Sequence, residues 1–152
     1  MYRLAGEFEC KIDDKGRLKL PATLLTQFSD VPPLKFTINR GFEKHLILYP
    51  EDVWLEKAKE IDQLNIYQAN HRKVIRYWYR GATKVVTDKA NRLLIPKSLV
   101  EYAKLNKELV LSAYQQQIEI WDKALYDQMI GDEPEEFSEL AESVFFKKND
   151  EN

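Results

Sequence analysis

The chain of 152 residues has one cysteine and two histidines, and their scarcity excludes several classes of function. Cys10 alone cannot close an internal disulfide, and with only His45 and His71 to join it there is no ligand spacing for zinc. Five glycines, at 6, 16, 41, 81 and 131, are too scattered to cradle a phosphate or to form a dinucleotide fingerprint. Neither histidine has a serine or cysteine partner in a recognisable catalytic pattern. Long apolar runs are missing too. No stretch approaches the ~18 residues of a membrane span, and "MYRLAGEFECK" places charges where a signal peptide needs an apolar run. The expectation is a cytoplasmic protein that is not an enzyme, with no metal, no cofactor, no membrane contact and no small-molecule substrate.

What is present is enough for a packed interior, since 44% of the residues are hydrophobic and 12% aromatic. A net charge of −2 argues against a polyanionic partner until its distribution is read. From His71 to Lys104 there are nine lysines or arginines against two acids; from Gly131 to Asn152 there are eight acids against two lysines. An acidic end hides a basic body.

The chain also repeats itself. "DDKGR" at 13 to 17 returns as "DKANR" at 88 to 92, and laying Asp13 on Asp88 superposes Gly16 on Asn91, Arg17 on Arg92, Leu18 on Leu93, Leu20 on Ile95 and Pro21 on Pro96. Further on, "FTINRGFEKHLILYP" (36 to 50) falls on "ELVLSAYQQQIEIWD" (108 to 122), pairing Phe42 with Tyr114 and Leu46 with Ile118. Each copy reads as strand, polar turn, strand, short helix and hairpin. Pro21 and Pro96 stop the second strand and open helices expected at about 22 to 28 and 97 to 103. Gly16 suits a positive φ in the turn, and Asn91 is the non-glycine residue best able to replace it.

Between the copies "PEDVWLEKAKEIDQLN" sets Trp54, Ala58, Ile61 and Leu64 on one helical face, and "QANHRKVIRYWYR" follows as a second helix. Its Arg72, Arg76 and Arg80 form a stripe that is either a phosphate-contacting face or a solvated or subunit-facing edge. "DKALYDQM" makes one more helix, and "FSELAESVFF" a short amphipathic piece. The expected division is a first repeat at 1–54, a helical insertion at 55–80, a second repeat at 81–128 and an acidic C-terminal tail at 129–152.

"YRLAGEFECKIDDKGRLKLP", "INRGFEKHLILYP", "RGATKVVTDKANRLLIP" and "ELVLSAYQQQIEIWD" resemble the successive signature blocks of MraZ proteins, over roughly residues 1 to 128. The resemblance implies a mainly β protein with peripheral helices, a pseudo-two-fold duplicated swapped-hairpin fold (an AbrB-like double-split β-barrel). It also implies ring-shaped homo-oligomers and a sequence-specific transcriptional regulator. Such a protein binds double-stranded DNA at short direct repeats in the promoter of its own division and cell-wall gene cluster, which places it at the nucleoid. Two departures stand out: Asn91 replaces a glycine of the second motif, and Leu25 and Val100 stand where many relatives have arginine.

The residues suit that chemistry. A guanidinium fork donates two bonds to guanine O6 and N7 in a major groove wide enough for a two-stranded ribbon, and Arg17 sits just past a tight turn. Lys11, Lys15 and Lys19 surround it with charges suited to phosphate, and Arg3 joins them in the candidate DNA-binding set. Asp13 would be repelled by phosphate, so its expected part is to cap turn amides or hold the arginine; Gly16, Asp88, Asn91 and Arg92 complete the structural motif. In the second copy the lysine positions hold Val86, Ala90 and Leu94. The first turn is therefore expected to contact DNA and the second to be buried, against the first or against a neighbouring subunit. The alternative function is an antitoxin-like protein-binding module of the same fold.

Overall fold

The computed structural model describes residues 3–131 and 133–150, with the backbone alone at 147–150. The start of the expected first repeat (Met1, Tyr2) and part of the acidic tail (Asp132, Glu151, Asn152) lie outside the described residues. One element order occurs twice. The first pass is β1 (Leu4–Lys11), β2 (Arg17–Lys19), α1 (Ala22–Leu25), β3 (Lys35–Arg40), β4 (Leu46–Pro50), α2 (Glu51–Asp62) and α3 (Ala69–Tyr79). The second is β5 (Thr83–Val86), β6 (Arg92–Leu94), α4 (Lys97–Tyr102), β7 (Glu108–Gln115), β8 (Gln117–Asp122), α5 (Lys123–Ile130) and α6 (Pro134–Asp150).

Pairing exchanges the two passes. A six-stranded antiparallel sheet runs β1-β7-β8-β4-β3-β5, so each pass sends its first strand to the hairpin of the other. The second strands, β2 and β6, form a separate two-stranded ribbon in which Leu18 lies opposite Leu93. Two further bonds clip the ribbon, Leu20 N–H to Asn91 O at 3.0 Å and Ile95 N–H to Gly16 O at 2.8 Å, and each is the image of the other. This is the duplicated swapped-hairpin fold.

Burial follows from the alternation of strand side chains. One face of the six-stranded sheet supplies Phe36, Ile38, Leu48, Leu109, Leu111 and Ile120 to the main core, which the ribbon closes with Leu18 and Leu93, both 0% exposed. On the other face Ile47 and Tyr49 are covered by Val53 and Trp54 of α2 and by Trp78 of α3, whose indole stacks on Trp54 at 5.3 Å. Val110 and Trp121 are covered by Tyr126 of α5. Because both faces are covered, β4 reads as the unbroken apolar run "LILYP".

Three expectations change. The hairpins do not superpose at one offset, because Phe36 lies opposite Pro50 whereas Leu109 lies opposite Asp122, which matches Phe36 to Leu109 and not to Glu108. A one-residue slip would turn the buried set outward, so the extra residue sits in the turn after Arg40, where Phe42 is 90% exposed and has no partner in Tyr114. Helix α1 stops at Leu25, short of the expected 28, and Gln27 instead closes two side-chain bonds with the backbone of Ala5 on edge strand β1. The segment "FSELAESVFF" belongs to a longer helix, α6, and exposes Phe137, Leu140 and Val144.

One half-buried carboxylate lies where the two hairpins meet. Glu119 of β8 accepts from Trp121 Nε1 at 2.9 Å and from Tyr114 OH at 2.8 Å. His45, stacked on Trp121 at 4.4 Å, places Nε2 3.4 Å away without hydrogen-bond geometry. Burial, the largest influence, pushes this carboxyl up, but the His45, Trp121 and Tyr114 contacts outweigh it and hold it at about 2 against an ordinary 4.5. A lowered folded value means that the carboxylate's contribution is complete above about pH 4.5 and drains as pH falls toward 2. Thermal melting of the wild type should fall across that window, and Glu119→Gln should melt lower at pH 7 with a shallower acid slope. Equal slopes in the two proteins would refute this assignment.

Candidate nucleic-acid interface

Each motif is a self-capped turn. Asp13 Oδ1 accepts from the backbone N–H of Lys15 at 3.0 Å and of Arg17 at 2.8 Å, while Oδ2 accepts from Arg17 Nε at 2.7 Å. Asp88 repeats the set, with Ala90 N–H at 2.9 Å, Arg92 N–H at 2.9 Å and Arg92 Nε at 2.8 Å. The Arg17 amide, the strongest influence, and then its side chain hold the Asp13 carboxyl below the ordinary value, and Arg92 does the same for Asp88. Both aspartates stay ionised and occupied, as a four-residue Asp-to-Arg spacing across a turn allows. With Nε engaged, each guanidinium is held by one edge, and its two Nη groups have no partner among the described residues. Those are the donors that bidentate base recognition requires.

The backbone of the turn explains the glycine and its replacement. Gly16 has φ +85° and Asn91 φ +59°, the left-handed region that glycine enters freely and asparagine more readily than most residues. At Gly16 a Cβ would also stand 2.9 Å from the backbone O of Ile95, the residue whose N–H donates to Gly16 O across the halves.

Ribbon pairing then decides which side chains share a face. Arg17 lies opposite Leu94 and Lys19 opposite Arg92, with Leu18 and Leu93 turned inward between them. Arg17, Lys19, Arg92 and Leu94 therefore form one outward surface, with Lys15 and Lys89 exposed at its two turns. The second motif is not buried against the first. Residues 11–20 and 86–95 have the same burial pattern position for position, and the Arg17 and Arg92 side chains are 34% and 36% exposed. The apolar residues of the second turn stay outside because they occupy the lysine positions: Val86 is 49% and Leu94 60% exposed.

Of the other sequence-predicted residues, Lys11 ends β1 beside the first turn and is exposed. Arg3 stands beyond the opposite end of the same strand, roughly 25 Å away at strand rise, beside Lys57 and Gln115–Gln117. The swapped strand thus separates Arg3 from the motif cluster. The Arg72, Arg76, Arg80 stripe is also incomplete, since Arg72 folds back to donate Nη1 to Ile66 O at 2.8 Å. Besides Lys89 at the second turn, two cations lie outside the candidate set read from the sequence. Lys97 and Lys107, from the second half, line a recess of about 530 Å³ beside the first turn with Lys15, Ile12, Ile95 and Val100. Sequence spacing carries no trace of them because the swap brings them there; Leu94, by contrast, was legible from alternation about the buried Leu93. Among the described residues no cluster of three His, Cys, Asp or Glu fits a metal ion, and no helix is long and apolar enough to cross a membrane.

Two hairpins that pair across halves, cap their own arginines and present a cationic ribbon define a class: duplicated swapped-hairpin proteins of the AbrB-like type. Comparison narrows it. The family model described as "MraZ protein, putative antitoxin-like" matches residues 3–77 and again 78–147. The chain is similar to the transcriptional regulator MraZ of Christiangramia forsetii, 40% identical over 95% of this chain and 94% of the relative, and to that of Flavobacterium psychrophilum, 38% identical over 99% and 97%. It is 35% identical to the one from Desulforamulus reducens over 91% of this chain and 95% of the relative. The chain belongs to the MraZ family of transcriptional regulators.

Gly16→Ala should cost about 2 kcal/mol or more, because a left-handed conformation penalised by ~1–2 kcal/mol is compounded by a backbone clash. Asn91→Ala should cost about 1 kcal/mol, keeping the penalty without the glycine's crowding. Denaturant unfolding of the two variants checks the order, and an unperturbed Gly16→Ala would contradict the tight-turn account.

Proposed function

We propose that this chain is a sequence-specific regulator that binds double-stranded DNA through the outward face of its β2–β6 ribbon. The observation that carries the reading is the pair of guanidinium groups, each held by its aspartate at Nε with both Nη groups unpartnered among the described residues, on one face of a two-stranded ribbon. Such a ribbon fits the major groove, where a free arginine fork donates to guanine O6 and N7. Arg17 reads a base edge, and Arg92, on the same exposed face, reads with it. Lys15, Lys19 and Lys11 engage phosphate, joined by Lys89, and set the register of the ribbon on the duplex. Asp13, Gly16, Asp88 and Asn91 hold the two turns. Arg3, away from this face, has no part in the contact.

One ribbon covers only a few base pairs, so useful affinity needs several arms acting together. Linked weak contacts gain on the order of 10²-fold or more through effective concentration. A ring of identical subunits on short direct repeats meets that need, and the family points to the promoter of the protein's own division and cell-wall gene cluster, with the protein cytoplasmic and nucleoid-associated. The family description, "putative antitoxin-like", supports a second reading, an antitoxin-like protein-binding module, and the exposed Phe137, Leu140 and Val144 of α6 suit one. Gel shifts of the promoter with and without an adjacent toxin-like gene product separate the two.

Footprinting the purified protein on DNA upstream of its own gene is the direct test. Arg17→Ala should remove about 1–3 kcal/mol of base readout for each engaged arm and abolish the footprint while the fold survives. Lys15→Ala should weaken specific and random DNA alike and reduce the salt slope by about one unit per arm. Arg92→Ala should stay folded and lose specific binding in the manner of Arg17→Ala; an Arg92→Ala protein with a normal footprint would remove it from the reading face.

A further inference from the structure

Leu94 is an apolar side chain, 60% exposed, in the middle of a cationic surface. It lies directly opposite Arg17 across the ribbon, on the same face as Lys19 and Arg92. Its structural counterpart in the first half is Lys19, and Val86, 49% exposed, likewise occupies the place of Lys11. Nothing in the fold requires leucine there, since the inward position of β6 is filled by Leu93 and the burial patterns of the two turns are identical.

The surroundings identify what covers it. The cations of this face are Lys15, Lys19 and Lys89 with the aspartate-held Arg17 and Arg92; of the acids at its turns, Asp13 and Asp88 are engaged by their own turns and Asp14 stands exposed at the first. An apolar spot ringed by arginine and lysine complements a polyanion that carries a methyl group. In the major groove only thymine offers one, at C5. Directly opposed residues in an antiparallel pair have Cβ atoms about 5 Å apart, so a base edge met by Arg17 has its neighbour within reach of Leu94.

We infer that Leu94 reads the C5-methyl group of a thymine next to the base contacted by Arg17, so that the two halves of the chain read different features of one site. This rests on the proposed DNA contact. It assigns the divergence of the second turn a purpose: where the first half sets Lys19 beside the shared pair of arginines, the second sets an apolar contact.

The test uses the full-length protein and the DNA fragment upstream of its own gene, prepared with thymine or with uracil throughout, which removes only the methyl groups. Burying one methyl group corresponds to roughly a fourfold change in affinity, so the uracil fragment should bind about fourfold or more weakly. Leu94→Lys, which restores the first half's residue at an exposed position, should bind thymine and uracil fragments equally and show a salt slope steeper by about one unit. Melting and light scattering of that variant should match the wild type. Equal binding of both fragments by the wild type would overturn the inference and leave the DNA reading standing, as would a thymine preference that persists undiminished in Leu94→Lys. A Leu94→Lys protein that loses assembly would show that the leucine faces a second copy instead. Failure of the wild type to bind either fragment would overturn the DNA reading and the inference together.

Discussion

The pairing of β2 with β6 is the contact on which the rest of the molecule depends. Three residues from each half make it, yet it closes the main core over Leu18 and Leu93 and is clipped at both ends by mirror-image bonds from Leu20 and Ile95. Neither half is complete without the other, because β1 and β5 also find their partners across the pseudo-two-fold axis. A lone half would leave those edges open, a standing invitation to mispairing. Joining both halves in one chain makes the exchange intramolecular.

That constraint explains which parts of the two motifs agree and which differ. Everything the interlock needs is kept twice: the aspartate cap, the positive φ, the inward leucine and the proline that ends the strand. The outward positions are free of it, and there the halves part, with Lys11, Lys15 and Lys19 set against Val86, Ala90 and Leu94. Since β2 and β6 are neighbours, the two kinds of surface meet on one face. The repeat thus yields a composite surface, with lysine at Lys19 on one strand and an apolar side chain at Leu94 on the other, beside an arginine from each half.

Most of the fold was legible in the sequence because its signals are local. Turn residues at a fixed offset, proline stops and alternation gave both copies of the strand-turn-strand unit, and the Asp-to-Arg spacing predicted the caps at 13 and 88. What escaped depends on partners distant in the chain. The slip between the hairpins is set by the length of the turn at Phe42, which pattern matching across an uninterrupted block smooths over. Arg3 looked close to Lys11 in sequence, but eight residues of extended strand carry it to the far end of the sheet. The burial expected for the second motif against the first half failed for a different reason: apolar character implied a place inside the chain, whereas Leu94 alternates with Leu93 and points outward. Lys97 and Lys107 reach the first turn only through the exchange of halves.

Native-state hydrogen exchange at two amides tests the interlock most directly. Leu20 N–H and Ile95 N–H each donate across the halves, to Asn91 O and Gly16 O. If the ribbon holds both halves in one cooperative unit, the two amides exchange only through global unfolding, with equal protection that matches the unfolding free energy measured in denaturant. Exchange of either amide at a distinctly lower free energy, or at two different ones, would mean that the halves open independently and that the ribbon is not the contact on which the structure depends.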